Sequence, residues 1–137
     1  MNAVTILTQE HQKLRPFLRR MAQTCDEENP DALNTVLEMA KTALNADLDQ
    51  HIDLEDNRVF PHFAQYIGSD RVKMFIDDHR QIQSVRDKLY SAETPLRRSL
   101  ALALDEMLQE HLDREENMLF PAAENEMPSE ALELEPD

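Results

Sequence analysis

Residues 51–61, with the sequence HIDLEDNRVFP, recur sixty residues later as HLDREENMLFP at residues 111–121. Each copy begins with a His and has a Glu four residues after it; the pairs are His51 with Glu55 and His111 with Glu115. An α-helix has about 3.6 residues per turn, so side chains four positions apart lie one turn apart on nearly the same side. Each copy therefore predicts a helical segment that presents one imidazole and one carboxylate to a single metal ion.

A further His stands upstream of each copy, directly after an acidic residue. These dipeptides are Glu10-His11 and Asp78-His79. The chain therefore reads as two similar halves, each with one lone His and one His-x-x-x-Glu. Four imidazoles and two carboxylates are a sufficient ligand set for two metal ions. The predicted metal ligands are His11, His51, Glu55, His79, His111 and Glu115.

The composition predicts an all-α protein of one domain. A chain of 137 residues can bury a core without disulfides. It has one Gly and no Trp, whereas sandwiches and hairpins need Gly-rich turns and β-branched runs. We expect a helical domain over residues 1–124 and an acidic, flexible tail over residues 125–137.

Charge and cysteine content narrow the class of partner and the compartment. The net charge of −14 would repel nucleic acid phosphate and anionic lipid over most of the surface, so we expect neither as a partner. The single Cys25 excludes an internal disulfide and fits a reducing compartment. We find neither a signal-peptide pattern nor an apolar run long enough to cross a membrane, and a cytoplasmic protein is the expectation.

Apolar residues at three- and four-residue steps predict four helices. They begin near residues 3, 30, 69 and 94, and the first ends near residue 25. Connections this short make successive helices antiparallel neighbours, which predicts an up-down-up-down four-helix bundle. In that arrangement the four ligand histidines lie at a similar depth. Pro61 and Pro121 follow the two Glu ligands and predict either matched bends or the ends of the helices.

Each histidine taken alone has a simpler interpretation. A lone His on an apolar helix face is usually a core residue with one hydrogen bond, and an isolated His-x-x-x-Glu is usually an exposed pair. Four histidines that all interrupt apolar faces, two of them with a Glu at the same offset, are hard to explain in that way. Burying them with two carboxylates and no cation would cost several kcal/mol per unpaired charge.

Several other polar and sulfur-containing residues are expected to lie outside the metal site. His62 is about 10 Å further along the helix than Glu55, and Cys25 has no basic neighbour in sequence that would lower its pKa. Met107 and Met118 are expected to fill the core. Asp47 is either a solvated acid or a partner for the second ring nitrogen of His51.

The combination of motifs resembles the hemerythrin-like family, also called the HHE cation-binding domain. The shared marks are a His on the first and third helices and a His-x-x-x-Glu followed by Phe-Pro on the second and fourth. The resemblance implies a non-haem di-iron (Fe–O–Fe) centre bridged by Glu55 and Glu115, with His11 and His51 on one ion and His79 and His111 on the other. Ligand type alone leaves zinc or manganese open.

The chain departs from the family's reversible oxygen carriers on the third helix. Those carriers have a second His four residues after the first, where this chain has Gln83. Their fourth-helix carboxylate falls at the position of Glu116, but Glu115 lies closer to the azimuth of its His and matches Glu55. The resemblance therefore implies two open metal positions and reaction with O2, peroxide or nitric oxide, and turnover would also need an electron donor.

The function that follows is reaction with, or sensing of, these small molecules. Relatives with this four-His, two-Glu pattern are linked to iron handling and to repair of iron centres under stress. The alternative is a reversible O2 store or a metal-dependent sensor module without turnover. A ferritin-like oxidase is disfavoured, because its Glu-x-x-His motif would need Glu at Leu48 and Leu108.

Overall fold

The computed structural model describes residues 1–27 and 29–134, and these residues form helices without any named strand. The predicted all-α class is therefore confirmed. Along these described ranges, seven α-helices follow one another: α1 (Ala3–Asp26), α2 (Pro30–Met39), α3 (Leu48–Leu54), α4 (Phe60–Ile67), α5 (Ser69–Ser91), α6 (Thr94–Arg114) and α7 (Phe120–Glu126). Helix α6 packs mainly against α5 and α1, and α4 packs mainly against α5.

Local sequence signals set the helix ends. The Asn2 side chain accepts a hydrogen bond from the Val4 N–H at 2.8 Å and so caps α1. Asn29 caps α2 in the same way, and Pro30 occupies the first helical position, where its missing N–H costs nothing. Gly68 separates α4 from α5 with a φ of +93°, a conformation that favours glycine.

Short π-helical turns join the helices on either side of the predicted site. Two of them, Glu55–Val59 and Glu115–Leu119, each begin at a predicted Glu ligand and end just before a Phe-Pro pair. In each turn the Phe N–H bonds to the carbonyl of the Glu five residues earlier. The prolines have no N–H, and their rings crowd the carbonyl four residues back, which a wider turn relieves. The helices therefore continue past Pro61 and Pro121 instead of ending there.

The apolar core is divided into two clusters. One contains Leu14, Leu48, Ile82 and Leu108 among its members, and the other is built around the phenylalanines of α4, α5 and α7. In α1 and α5 the ligand His falls between residues of the two clusters, and in the other two stretches the ligand Glu does. The predicted ligands therefore form a polar layer between two apolar clusters.

The chain after α7 packs back onto its beginning. The Leu134 N–H donates to the carbonyl of Met1 at 3.1 Å, and Asn2 pairs with Glu133. The short 3-10 helix Ser129–Leu132 buries Leu132 in the phenylalanine-rich cluster. Residues 135–137 of the predicted tail lie outside the described residues. Within the described ranges, none of the helices has the length and apolar character needed to span a bilayer.

Candidate metal centre

The six residues predicted as ligands all lie in the polar layer and are almost completely buried. Helices α1, α3, α5 and α6 each contribute one His, and the two π turns each contribute a Glu at their first residue. The four elements that carry the histidines thus supply one imidazole each. A His and the Glu four residues later stay on one side of the chain because the π turn begins only at the Glu.

These side chains form two groups that share both carboxylates. One group contains His11, His51, Glu55 and Glu115, and the other contains His79 and His111 with the same two Glu residues. Within each group, one ligand atom from every residue lies within 4.8 Å of all the others. The imidazole rings are 5.0 Å apart in the first group and 4.8 Å apart in the second, measured between centroids.

Each carboxylate lies between histidines of the two groups. Oε1 of Glu55 is 3.3 Å from Nε2 of His51 and 3.0 Å from Nε2 of His79. In the same way, Glu115 approaches Nε2 of His111 at 2.5 Å and Nε2 of His11 at 3.6 Å. A carboxylate with this placement can bridge two cations.

Most of the inward-facing polar atoms have no hydrogen-bond partner. They are Nε2 of His11, His51 and His111, Oε2 of Glu55, and both carboxylate oxygens of Glu115. A buried polar atom without a partner is unfavourable by about 1–3 kcal/mol, so such atoms are rarely left in one place without a reason. Nitrogen and carboxylate donors in this number suit two divalent or trivalent cations of the iron, manganese or zinc type. The residues present therefore fit a dinuclear metal centre.

The outward nitrogen of every ligand histidine faces a carboxylate. Four acidic residues provide these contacts, which we call the outer carboxylates; they are Glu10 to His51 at 2.6 Å, Asp56 to His79 at 2.7 Å, Glu116 to His11 at 3.0 Å and Asp78 to His111 at 3.2 Å. An ionised carboxylate only accepts hydrogen bonds, so Nδ1 donates and Nε2 is left to face the centre.

Sequence reasoning missed these partners, although the repeat contains a signal for them. An acidic residue precedes both lone histidines and follows both Glu ligands, at Glu10, Asp78, Asp56 and Glu116. Asp47, which was considered as the partner of His51, does not occupy that position, because Glu10 on α1 does.

Arginines hold two of the outer carboxylates. Arg15 donates to Glu116 at 2.5 Å and also to Asp113 and Gln109. Arg80 donates to Asp56 from a more exposed position, with 59% of its side chain accessible against 23% for Arg15. Burial would raise the pKa of Glu116, but the hydrogen bonds from Arg15 and His11 lower it below its usual value. Glu116 is therefore an anion that the Arg15 guanidinium and the Nδ1–H of His11 hold in place.

The metal-free site is strongly polarised. Burial by itself would lower the pKa of His111, but the adjacent Glu115 carboxylate raises it to about 9. The pKa of His51 is raised well above its usual value because Glu55 and Glu10 outweigh its burial. The pKa of Glu55 is correspondingly low, since His51 and other neighbours outweigh its own burial. Without a cation, protons on His51 and His111 offset part of the charge of the carboxylates.

The remaining candidates lie outside the two groups. Nε2 of His62 is 2.7 Å from the carbonyl of Ala131, and Gln83 donates to Asp49 at 3.1 Å. Cys25 is buried, and burial raises the pKa of its thiol. Met107 is partly buried against the core, but Met118 is 60% exposed, so the expectation that it fills the core is wrong. It lies in a π turn, which rotates its side chain outward.

A buried layer of histidines and shared carboxylates inside a helical fold is typical of helical cation-binding proteins. Residues 2–123 match the family model of the hemerythrin HHE cation binding domain, and the chain therefore belongs to that family. The resemblance predicted from the motifs is thus confirmed. Domains of this type bind metal ions, typically iron. Searches of curated proteins and of solved structures each returned no match.

Proposed function

We propose that this chain is a non-haem di-iron protein that reacts with or senses O2, peroxide or nitric oxide. The observation that carries the proposal is the buried layer of six inward-facing side chains. Most of their nitrogen and oxygen atoms that could bind a metal have no hydrogen-bond partner. His11 and His51 would hold one ion, His79 and His111 the other, and Glu55 and Glu115 would bridge them. The distances from each Glu to histidines of both groups support this assignment.

The wider arrangement is proposed to be an antiparallel four-helix bundle. Its four spans would be residues 3–26, 30–67, 69–91 and 94–126. The packing of α6 against both α5 and α1 supports this arrangement. A reducing compartment such as the cytoplasm suits a buried, unpaired thiol at Cys25.

The residues of the chain have separate tasks in this mechanism. Bound iron would supply one-electron redox chemistry toward small oxygen- and nitrogen-containing ligands. The outer carboxylates hold the Nδ1–H of each His and so fix both the tautomer and the orientation of the ring. The two apolar clusters exclude water from the two faces of the layer that they cover, which strengthens the electrostatic contacts there.

The residue four positions after His79, which is Gln83, favours reaction or sensing over reversible storage. Gln83 is bonded to Asp49 and belongs to neither ligand group. The two halves therefore offer equal sets of two histidines each, so neither metal position gains an additional imidazole. A site that leaves both ions an open position suits chemistry at both ions.

Metal analysis of protein purified without air, together with a near-ultraviolet spectrum after oxidation, tests the proposal. We expect two iron ions per chain and an absorption band that a zinc-loaded chain lacks. His79→Asn should reduce the iron content, whereas His62→Asn serves as the matched control, since His62 lies outside both groups. Iron that is absent from the wild type, or lost equally in both variants, would overturn the proposal. Oxygen consumption or nitric oxide reduction with turnover would indicate an enzyme, and a stoichiometric, reversible spectral change would indicate a sensor or store.

A further inference from the structure

An apolar surface cavity of about 240 Å³ lies beside the polar layer, on the second half of the chain. Its walls come from α5, the π turn Glu115–Leu119 and α7, and they are formed by Arg71, Met74, Phe75, Met118, Leu119 and Ala122. The one charged residue, Arg71, forms an ion pair with Glu126. A cavity with these walls disfavours ions and accommodates small apolar molecules.

Phe75 connects this cavity with the ligand histidines. Its side chain is 2% exposed and lines the cavity on one side. On the other side its ring meets the His111 ring edge-on, with centroids 5.6 Å apart. It also packs against Phe60 at 6.2 Å, and Phe60 stacks on His79 at 5.7 Å. Phe75 therefore contacts both the cavity and an imidazole of the second group.

The corresponding face of the first half is covered by the chain itself. In the repeat, Ala122 corresponds to His62, and Nε2 of His62 is 2.7 Å from the carbonyl of Ala131. The Leu134 N–H donates to the carbonyl of Met1, and Asn2 pairs with Glu133, so the segment also lies against the start of α1. The segment 129–134 thus closes this face.

The second face carries no equivalent segment among the residues that the structure describes. Met74 and Met118 at its rim are 43% and 60% exposed. Exposed methionines of this kind leave an apolar, adaptable rim in contact with solvent. Within the described ranges, the duplicated fold is therefore open to apolar molecules on this side.

Two further cavities reach ligand histidines, but charged residues form part of their walls. One includes Glu10, Lys13 and Asp47 beside His51, and its counterpart includes Asp78 and Arg114 beside His111. Charged walls hold water and ions, and an uncharged gas gains nothing by displacing them. The apolar cavity is the better match for a gas.

We propose that this apolar cavity binds uncharged diatomic gas molecules and admits them past Phe75 to the His79 and His111 side of the metal centre. The inference rests on the proposed function, because it names the ligand class and the side from which the ligand approaches. Movement of the Phe75 ring would open the passage, and no bond is made or broken in this step.

Xenon is an apolar probe that tests the cavity without any metal. In metal-free and zinc-loaded protein with labelled methionine methyl groups, rising xenon pressure should shift the signals of Met74 and Met118 in a saturable way. The signal of Met39, which is exposed on α2, should not shift in this way. Ala122→Trp, which fills the cavity from its rim, should abolish the shifts. Absent shifts in the wild type, or equal shifts in the variant, would overturn the binding site.

Nitric oxide association with the ferrous protein tests the route. Ala122→Trp should lower the association rate constant by roughly tenfold, whereas Met39→Trp, the matched control, should leave it unchanged. Met118→Ala widens the entrance and should raise the rate, so it decides the matter if Ala122→Trp takes up no iron. Unchanged rates in both cavity variants at wild-type iron content would refute the route. A wild type that binds no iron would instead refute the proposed function, while the xenon measurement would still decide the binding site.

Discussion

Replacing Glu10 by Gln tests whether the outer carboxylates control metal binding. The contact between Glu10 and Nδ1 of His51 is 2.6 Å long, the shortest of the four outer contacts, and His51 is one of two histidines in its group. Loss of such a partner typically lowers metal affinity by 10- to 100-fold. Glutamine keeps the shape and one acceptor oxygen but removes the charge, so we expect a loss of about tenfold, or about 1.4 kcal/mol.

The structure also predicts how this effect compares with those of neighbouring substitutions. Glu10 is 36% exposed, so the metal-free protein should lose less than about 1 kcal/mol of unfolding free energy. Asp78→Asn should reduce the affinity less than Glu10→Gln, because its contact with His111 is 3.2 Å long. Asp47→Asn is the matched control, since Asp47 lines the same cavity beside His51 without bonding to that ring.

Chelator competition with Co2+ or Fe2+, monitored optically under anaerobic conditions, measures these affinities. The reasoning is refuted if Glu10→Gln binds as tightly as the wild type. It is equally refuted if Asp47→Asn weakens binding to the same extent, because the effect would then come from general charge in the cavity. Thermal unfolding of the metal-free variants shows whether a loss of affinity has been confused with a loss of fold.

Four further predictions concern stability and pH. Metal in hundredfold excess over its dissociation constant should raise the unfolding free energy by about 2.7 kcal/mol. Calorimetry before and after chelation measures this, and an unchanged unfolding temperature would contradict it. His111 has a pKa of about 9, and its proton must leave before a metal binds, so metal affinity should increase as pH rises toward 9 and then level off. A flat profile in chelator titrations would be inconsistent with this. In the metal-free chain the same proton stabilises the fold fully below pH 6.5, and its contribution disappears as pH rises through about 9. Arg86→Met should lower the unfolding free energy measured in urea by roughly 1–3 kcal/mol, because the buried guanidinium donates to the Leu44 carbonyl and to Asp49. Arg19→Met on the exposed surface is the control and should change it by less than about 0.5 kcal/mol. Equal effects of the two substitutions would argue against a specific role for Arg86.

The membership of the family and the all-helical class were both predictable from the repeat. Helix caps at Asn2 and Asn29 act within three residues of themselves, and the spacing of His51 and Glu55 acts within one turn. Interactions of this range depend on adjacent residues only, so the amino-acid order expresses them directly. The assignment of six residues as metal ligands stays a prediction, although the structure brings all six together.

Exposure near the prolines was less predictable. In the sequence, Met118 continues an apolar helical pattern, yet its side chain is exposed because it lies in a π turn. One additional residue per turn rotates every following side chain relative to a regular helix. The sequence signals that a proline perturbs the helix, but it does not distinguish a stop from a widened turn.

The order of residues alone determined the duplicated pattern, the helices and the inward-facing ligand types, since each of these follows from periodicity and local hydrogen bonding. Only the tertiary structure decided which carboxylate holds which imidazole, because partners such as Glu10 and His51 are far apart in the chain and meet through packing. It also decided that the segment 129–134 covers one half and leaves the other open. Burial and long-range contact depend on how distant segments fit together, and a linear repeat treats its two halves as equivalent.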